Sequence, residues 1–492
     1  MGIIRRQGIQ SSVLIYTGFA LGAFNILVLF PRFLTQEQAG LIFLFVALSK
    51  IILGFSTLGT IPTMTKFFPY YKAYLPKGRN DFLFASFVLP LIGFTITTIA
   101  LLVFKDFFIR KSIEKSALFL DYYYWIIPFS FLFIVFSILE VYSSTNYKTI
   151  FPTLLREIGV RAATTFLILA FIAGVIGFPL LIVGYSLMFG VLSLLLLGFL
   201  RYRNELDLSF SFSKVTRRMK GSIFSYSSYI YGGVIVAALA ENADVLIIGG
   251  IAGLANVAVY QTGHFVATII QVPYRSIAAI SSPMLSQAWK DRNIKLVDTI
   301  YKKTAINQLL AALFLFGLIW VNMDLLLALL GDNFNGVKEV IFLLGITRVI
   351  DLGFGVNSEI LNYSKHWRFN FFSYIILVVL FLPATYLLVK EFGFIGSAVA
   401  NLLSFFLFNA IRFLFLWLKL DLFPFNWKTM ALIFIGLFAI ICTIFIETNY
   451  LYLNCFLKSA CFLLLFLVPV WLFQISEDVN QFIRQLRDKY FG

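Results

Sequence analysis

Charge is what this sequence has least of. Only 13% of its 492 residues are Asp, Glu, Lys or Arg, about half the roughly 25% of an ordinary globular chain. With 60% hydrophobic residues and a mean hydropathy of +0.90, that much apolar surface cannot be enclosed in water-soluble cores, so soluble globular classes are excluded. Cysteine is nearly absent: Cys442, Cys455 and Cys461 show no CxxC spacing and no neighbouring His, which removes a disulfide framework or a zinc site and leaves them as small packing residues. The two histidines, His264 and His366, lie far apart, and HExxH, GxSxG and GxxxxGK[ST] are all missing. No catalytic residue, metal site or nucleotide site is therefore assigned. Any transport must draw on an ion gradient or on the substrate's own gradient.

What the chain does have is long apolar runs. About fourteen segments approach or exceed the roughly 20 residues that cross a bilayer as a helix, too long for the strands of a barrel. Their cores fall at 11–30, 40–61, 82–104, 117–141, 151–175, 178–200, 223–249, 255–282, 305–330, 337–361, 371–389, 395–417, 429–446 and 451–473. This predicts an all-α polytopic membrane protein of about 14 transmembrane helices. The first segment is too long for a cleavable signal and should remain as helix one.

The net charge of +15 would suggest nucleic acid in a soluble chain, but topology explains most of it and no nucleic-acid partner is assigned. With an even number of helices and both termini cytoplasmic, about 25 basic residues fall inside and about 7 outside, as the positive-inside rule requires. The richest loop carries Arg201, Arg203, Lys214, Arg217, Arg218 and Lys220; an exterior loop with Lys105, Arg110, Lys111 and Lys115 runs against the rule. The tail places Val479, Phe482, Ile483, Leu486 and Tyr490 on one helical face, which predicts a short amphipathic helix on the cytoplasmic leaflet.

The chain also resembles itself. Residues 29–48 lie over 247–266, and 177–201 over 393–417, at shifts of 218 and 216. Two pairings at nearly one offset imply parallel six-helix repeats about an axis along the membrane normal. The expected organisation is an N-lobe over 1–200, a basic cytoplasmic linker over 201–221, a C-lobe over 222–418, two further helices over 419–474 and the amphipathic tail over 475–492.

At PRFLTQEQAGLIFLFVALSKIILGFSTLGTIPTMTKFFPYY, with its proximal Arg, acidic turn, Gly opening helix two and later Leu-Gly turn, the chain resembles the Wzx-type polysaccharide exporters, the O-antigen flippase family of the MOP exporter superfamily. The stretches ENADVLIIGGIAGLANVAVYQTGHFVATIIQVPYRSIAAISSPMLS and LLGDNFNGVKEVIFLLGITRVIDLGFGVNSEILNYSKHWR resemble that family's helix seven to eight and nine to ten regions. Val245 and Phe265 stand where the family often has Arg. The resemblance implies two six-helix lobes forming a V, in the inner membrane of a bacterium, moving a polyprenyl-diphosphate-linked oligosaccharide from the cytoplasmic to the outer leaflet in lipopolysaccharide and related surface-polysaccharide biosynthesis. Membrane lipids, and polysaccharide polymerase or assembly proteins, would be its partners.

A diphosphate and a polar glycan need cations and hydrogen-bonding groups inside the membrane. Gln261, His264, Thr268, Gln271 and Arg275 repeat at i, i+3, i+7, i+10 and i+14 along helix eight, a polar stripe on an apolar helix. Lys50, near mid-bilayer in helix two, is the cation least explained by snorkelling. These six are read as substrate-binding, against interhelical hydrogen bonding for the stripe and an internal ion pair for Lys50. Glu241 and Asp244, at i and i+3 in helix seven, are the coupling-ion candidates, for H⁺ or Na⁺, if they face a cavity; at the outer interface, hydration alone would account for them. Arg348, Asp351 and Glu359, spaced i, i+3 and i+11 in helix ten, are secondary candidates, while Glu157 and Arg161 read as a structural i, i+4 pair.

Three hypotheses remain: the flippase that the resemblance implies, a MATE-type antiporter and a membrane scaffold. A MATE-type multidrug or cation antiporter would favour acids and aromatics over Lys50 and Arg275. A membrane scaffold would need neither the stripe nor a midplane charge. A polymerase or ligase would be expected to carry larger extramembrane loops.

Overall fold

The structure, a computed structural model, describes residues 2–76, 80–105, 117–207, 209–478, 480 and 481. The basic residues 110, 111 and 115, expected on the exterior, and most of the tail expected to be amphipathic, including Val479, Phe482, Ile483, Leu486 and Tyr490, lie outside the described residues. Within them every regular element is helical, as expected where lipid offers the backbone no hydrogen-bond partners. Two compact units are formed, Met1–Ala258 and Val259–Gly492.

The first unit begins with α1 (Gly2–Phe24), which passes through a π-helical turn, Asn25–Leu29, into Phe30–Phe33. A second π turn, Leu155–Gly159, interrupts the helix running from Ile150 to Ile172. The two helices meet backbone to backbone: a Cβ on Gly18 would stand 2.4 Å from the Glu157 carbonyl. Close by, Asn25 Nδ2 donates to the Arg161 carbonyl at 3.0 Å and Asn25 Oδ1 accepts from Thr165 at 2.7 Å. A widened turn redirects one side chain without ending the helix.

α2 (Gln36–Ser56) is the most enclosed candidate span of this unit, with 67% of its central window buried. The TQEQ sequence builds its start as a capping box: Gln38 N–H donates to Thr35 Oγ1 at 3.2 Å and Thr35 N–H to Gln38 Oε1 at 3.0 Å, satisfying two otherwise orphaned amides. Its end is the Leu-Gly turn, where Leu58 (φ 47°) and Gly59 (φ 76°) are both left-handed and lead into α3 (Thr60–Tyr74). The unit continues with α4 (Phe82–Val103), α5 (Ile126–Thr145, preceded by the helical turn Ala117–Tyr122), α6 (the interrupted Ile150–Ile172) and α7 (Phe178–Tyr202).

α8 (Lys214–Ile251) is one unbroken helix of 38 residues, about 57 Å at about 1.5 Å per residue and nearly twice the roughly 30 Å hydrocarbon layer. It packs along α2 and α3. Tyr71 and Thr216 share a hydrogen bond of 2.9 Å, Ser227 Oγ donates to the Leu58 carbonyl at 2.6 Å, and Gly54 faces Ala238. These contacts place α8 in the first unit, whereas the sequence repeat assigns 222–418 to the second lobe.

The second unit starts in α9, which runs Leu254–Thr268, tightens into a 3₁₀ turn at Ile269–Gln271 and resumes as Val272–Lys290. Pro273, at the start of the resumed helix, has no amide to continue the ladder. α10 (Ile294–Val321) and α11 (Met323–Leu330) follow, then α12 (Val337–Gly353) and α13 (Asn357–Tyr363). α14 (Trp367–Leu420) is two helices joined at Gly393, whose φ of 61° and ψ of −148° suit only glycine. α15 (Trp427–Ile444) and α16 (Leu451–Leu472) pack on α10, with Phe462 and Phe466 fully buried beside Leu313 and Phe316.

Ten of these helices are individually long and apolar enough to cross a membrane. Dividing α14 at Gly393 and counting the interrupted helices α6, α9 and α12–α13 yields the expected fourteen among the described residues.

Candidate functional site

Charged side chains inside an apolar bundle are costly unless something compensates them, so their partners define the candidate sites. In the first unit, α2 presents Lys50 as an exposed position on an otherwise largely buried helix, while its neighbour Ser49 is fully buried against Ser130 Oγ at 3.0 Å. Lys50 makes no ion pair within 4.0 Å among the described residues, but Glu241, Arg156 and Asp244 all act on its charge. The structure thus brings three of the sequence-identified residues, Lys50, Glu241 and Asp244, into one electrostatic group.

The two carboxylates occupy different surroundings. Glu241 is exposed, whereas Asp244 is 3% exposed and its Oδ1 accepts the Val245 amide at 2.8 Å. The first lies at the surface of its unit. The other is held by the helix that carries it.

Sequence reasoning missed the next cation's partner. Arg156 Nε reaches both oxygens of Glu140 at 2.6 and 2.7 Å, its Nη2 also donates to that carboxylate, and the guanidinium lies against Phe133 and Phe136. The only sequence signal was a single acid inside FSILEVYSS. Glu157 and Arg161 form the expected i, i+4 pair, with Arg161 Nη1 donating to Glu157 Oε2 at 2.6 Å.

In the second unit the polar stripe is not one continuous face. Gln261, His264 and Thr268 lie before the 3₁₀ turn and Arg275 beyond it; three residues at about 3.0 per turn advance about 60° further than in an α-helix, and that changes the phase of the stripe at Gln271. His264 is met by α12: Arg348 Nη2 donates to its Nε2 at 3.3 Å. Thr268 Oγ1 donates to its own helix at the Phe265 carbonyl, 2.6 Å away, and Arg275 is exposed.

Arg348, Asp351 and Glu359 do not descend a single helix, because Gly355 (φ 62°) ends α12 and places Glu359 on α13. A Cβ at Gly355 would stand 2.9 Å from the Ala305 amide, so only glycine permits this turn against α10. Tyr274 donates to Glu359 Oε1 at 2.6 Å, and Glu359 Oε2 is buried with no hydrogen-bond partner among the described residues. Asp351 Oδ1 accepts from Asn409 at 2.8 Å, and Asn409 Oδ1 accepts from Asn357 at 2.9 Å.

Arg412, 2% exposed, completes this group: its Nε donates to Ser373 Oγ at 2.9 Å, its Nη2 to Asn370 Oδ1, and its guanidinium lies 3.8 Å from the Phe408 ring centroid and 4.6 Å from that of Tyr374. Such a cation is fixed by its surroundings. Asn370, Asn409 and Tyr274 were not singled out from sequence, because amides and phenols in apolar runs are common and only tertiary contact distinguishes them.

Among the described residues the chain is an all-α polytopic membrane protein with polar groups gathered in each of its two units. The fold is shared with the lipid II flippase MurJ in its inward closed conformation, at a TM-score of 0.73 over 94% of this chain and 98% of that one, with 14% identity. It is also shared with an inward-facing multidrug resistance MATE family transporter, at a TM-score of 0.59 over 82% and 94%, with 17% identity.

The chain belongs to the polysaccharide biosynthesis protein family, whose profile matches residues 84–339. A protein of Haloferax volcanii described as a probable low-salt glycan biosynthesis flippase is 25% identical over 223 residues, which is 45% of this chain. The match spans less than half, 46%, of that relative's length.

Proposed function

We propose that the protein is a flippase that carries a polyprenyl-diphosphate-linked oligosaccharide from the cytoplasmic to the outer leaflet for surface polysaccharide biosynthesis, acting as a transporter and not as an enzyme. The observation that carries this reading is Lys50: an exposed cation on the most enclosed span of its unit, with charged neighbours but no close ion pair among the described residues. A diphosphate needs a cation that is available to it. Family membership and the fold shared with a lipid II flippase support the same substrate class.

The stripe residues Gln261, His264, Thr268, Gln271 and Arg275 would meet the glycan and phosphates. For the coupling ion, H⁺ or Na⁺, Glu241 and Asp244 come first, and Glu359, with its unpartnered Oε2, comes second. The positive-inside bias supports an orientation with both termini cytoplasmic, and with the family resemblance we read the membrane as the inner membrane of a bacterium, where polymerase or assembly proteins would take up its product.

The MATE-type antiporter is the second reading, favoured by the shared fold. Deleting the gene and extracting polyprenyl-linked oligosaccharides separates the two. Accumulation on the cytoplasmic face, relieved by wild type but not by Lys50→Gln, is the expected result. Unchanged intermediates with altered dye efflux would replace the flippase with the antiporter.

A further inference from the structure

Beneath the Leu-Gly turn, α3, the start of α4 and the start of α8 enclose a cavity of about 440 Å³ that the transport reading does not use. Its wall is apolar, formed by Met64, Phe67, Phe82, Leu89, Ile223 and Phe224. At about 30 Å³ for each group the size of a water molecule, it has room for about fifteen, the scale of one acyl chain. Asp81, fully buried, accepts both the Ser213 amide and the Thr216 hydroxyl at 2.7 Å, and Thr216 in turn bonds Tyr71, so the three helices are pinned at its edge.

Two observations point to an occupant with a polar head. Thr60, 6% exposed, lines the cavity with its Oγ1 buried and without a hydrogen-bond partner among the described residues. Lys220 also lines it, one turn beyond Arg217 and with Lys214 and Arg218 on the same exposed helix start. Phe210, Phe212 and Phe224 stand exposed around this basic end. Exposed aromatic side chains beside basic ones are the composition of a membrane interface, and by the charge bias this one is cytoplasmic, the leaflet that carries anionic lipid.

We propose that this cavity is a binding site for an anionic phospholipid of the surrounding leaflet, with one acyl chain inserted between α3, α4 and α8 and the phosphate held at Lys220. The site is separate from Lys50 and does not rest on the flippase reading. It makes the unit's pinned helix junction sensitive to the lipid around it.

The test uses the full chain in detergent, with bound lipid counted by native mass spectrometry after exposure to phosphatidylglycerol, phosphatidylcholine or polyprenyl phosphate. Wild type should retain one phosphatidylglycerol in preference to phosphatidylcholine. Lys220→Gln, on an exposed surface, should reduce that preference about fivefold, as expected for one basic residue near an anionic headgroup. Gly221→Phe enters the cavity mouth where a Cβ meets nothing within 4 Å, and it should lose the retained lipid while its melting temperature is kept.

Equal retention by wild type and Gly221→Phe would overturn the site. An unchanged preference in Lys220→Gln would overturn the headgroup contact. Stronger retention of polyprenyl phosphate than of phosphatidylglycerol at equal concentration would overturn the phospholipid assignment.

Discussion

Gly40 sits one turn into α2, and a Cβ built there would stand 1.9 Å from the Leu254 carbonyl oxygen. Ordinary contact begins at 3.4 Å, so Gly40→Ala requires a backbone displacement of about 1.5 Å at the join between α8 and α9. No side chain can rotate to relieve it, because both partners are main chain, and Gly253 just before Leu254 is already left-handed at φ 92°. Overpacking of this kind costs about 1–3 kcal/mol, with a backbone clash at the upper end, while replacing a helical glycine returns up to about 1 kcal/mol. The net expectation is about 2 kcal/mol, a melting temperature lower by roughly 4 °C for a unit of this size.

The control is the same substitution at Gly198 on α7, where a Cβ meets nothing within 4 Å; there the helix propensity acts alone and stability should hold or rise. Thermal unfolding of both variants in one detergent, followed by the fluorescence of the seven tryptophans, compares them directly. Two variants melting together, or Gly40→Ala melting at or above wild type, would refute the argument that α2 is held by main-chain contact. The consequence reaches the candidate site, since Lys50 lies about 15 Å further along the same helix.

Other expectations follow from particular contacts. Arg412→Leu should lower stability by about 3 kcal/mol, because it strips a buried network that also faces Asp351 and Glu359, and folded yield by size exclusion should fall with it. Thr35→Ala removes the capping box and should cost about 1 kcal/mol in the same melting assay, with Thr35→Ser restoring most of it. A double-mutant cycle of Glu140→Gln and Arg156→Met should return about 1 kcal/mol of coupling, a modest value because the Arg156 side chain is 37% exposed. A coupling near zero would remove that pair from the framework of the first unit.

Much of this architecture was legible in the residues, and the boundary of legibility is physical. Apolar runs of bilayer length mark helices wherever they lie in the chain, and TQEQ and the Leu-Gly pair state a cap and a turn through local chemistry that needs no partner. The Glu157–Arg161 pair is legible for the same reason: both residues lie on one turn of one helix. The interruption at Ile269–Gln271 was not legible: 255–282 reads as one apolar segment with a continuous stripe, and the change of phase appears only in the folded helix. Gly355 divided the expected helix ten because α10 presses on it, and nothing local to α12 says so. Glu140 with Arg156, Arg348 with His264, and Arg412 with Asn370 join helices that are distant in sequence. Periodicity tells which residues share a face of one helix; it is silent about which other helix that face meets.

The unbroken length of α8 also makes it a lever. Its basic end stands among Thr216, Lys220 and the pinned junction with α3 and α4, and its far portion carries Glu241 and Asp244. A rod about 57 Å long that tilts by about 5° moves its far end by about 5 Å, the rise of a full helical turn. Glu241 lies about 40 Å from that basic end, so the same tilt would carry the carboxylates by about 3.5 Å without any step in which the helix itself unfolds.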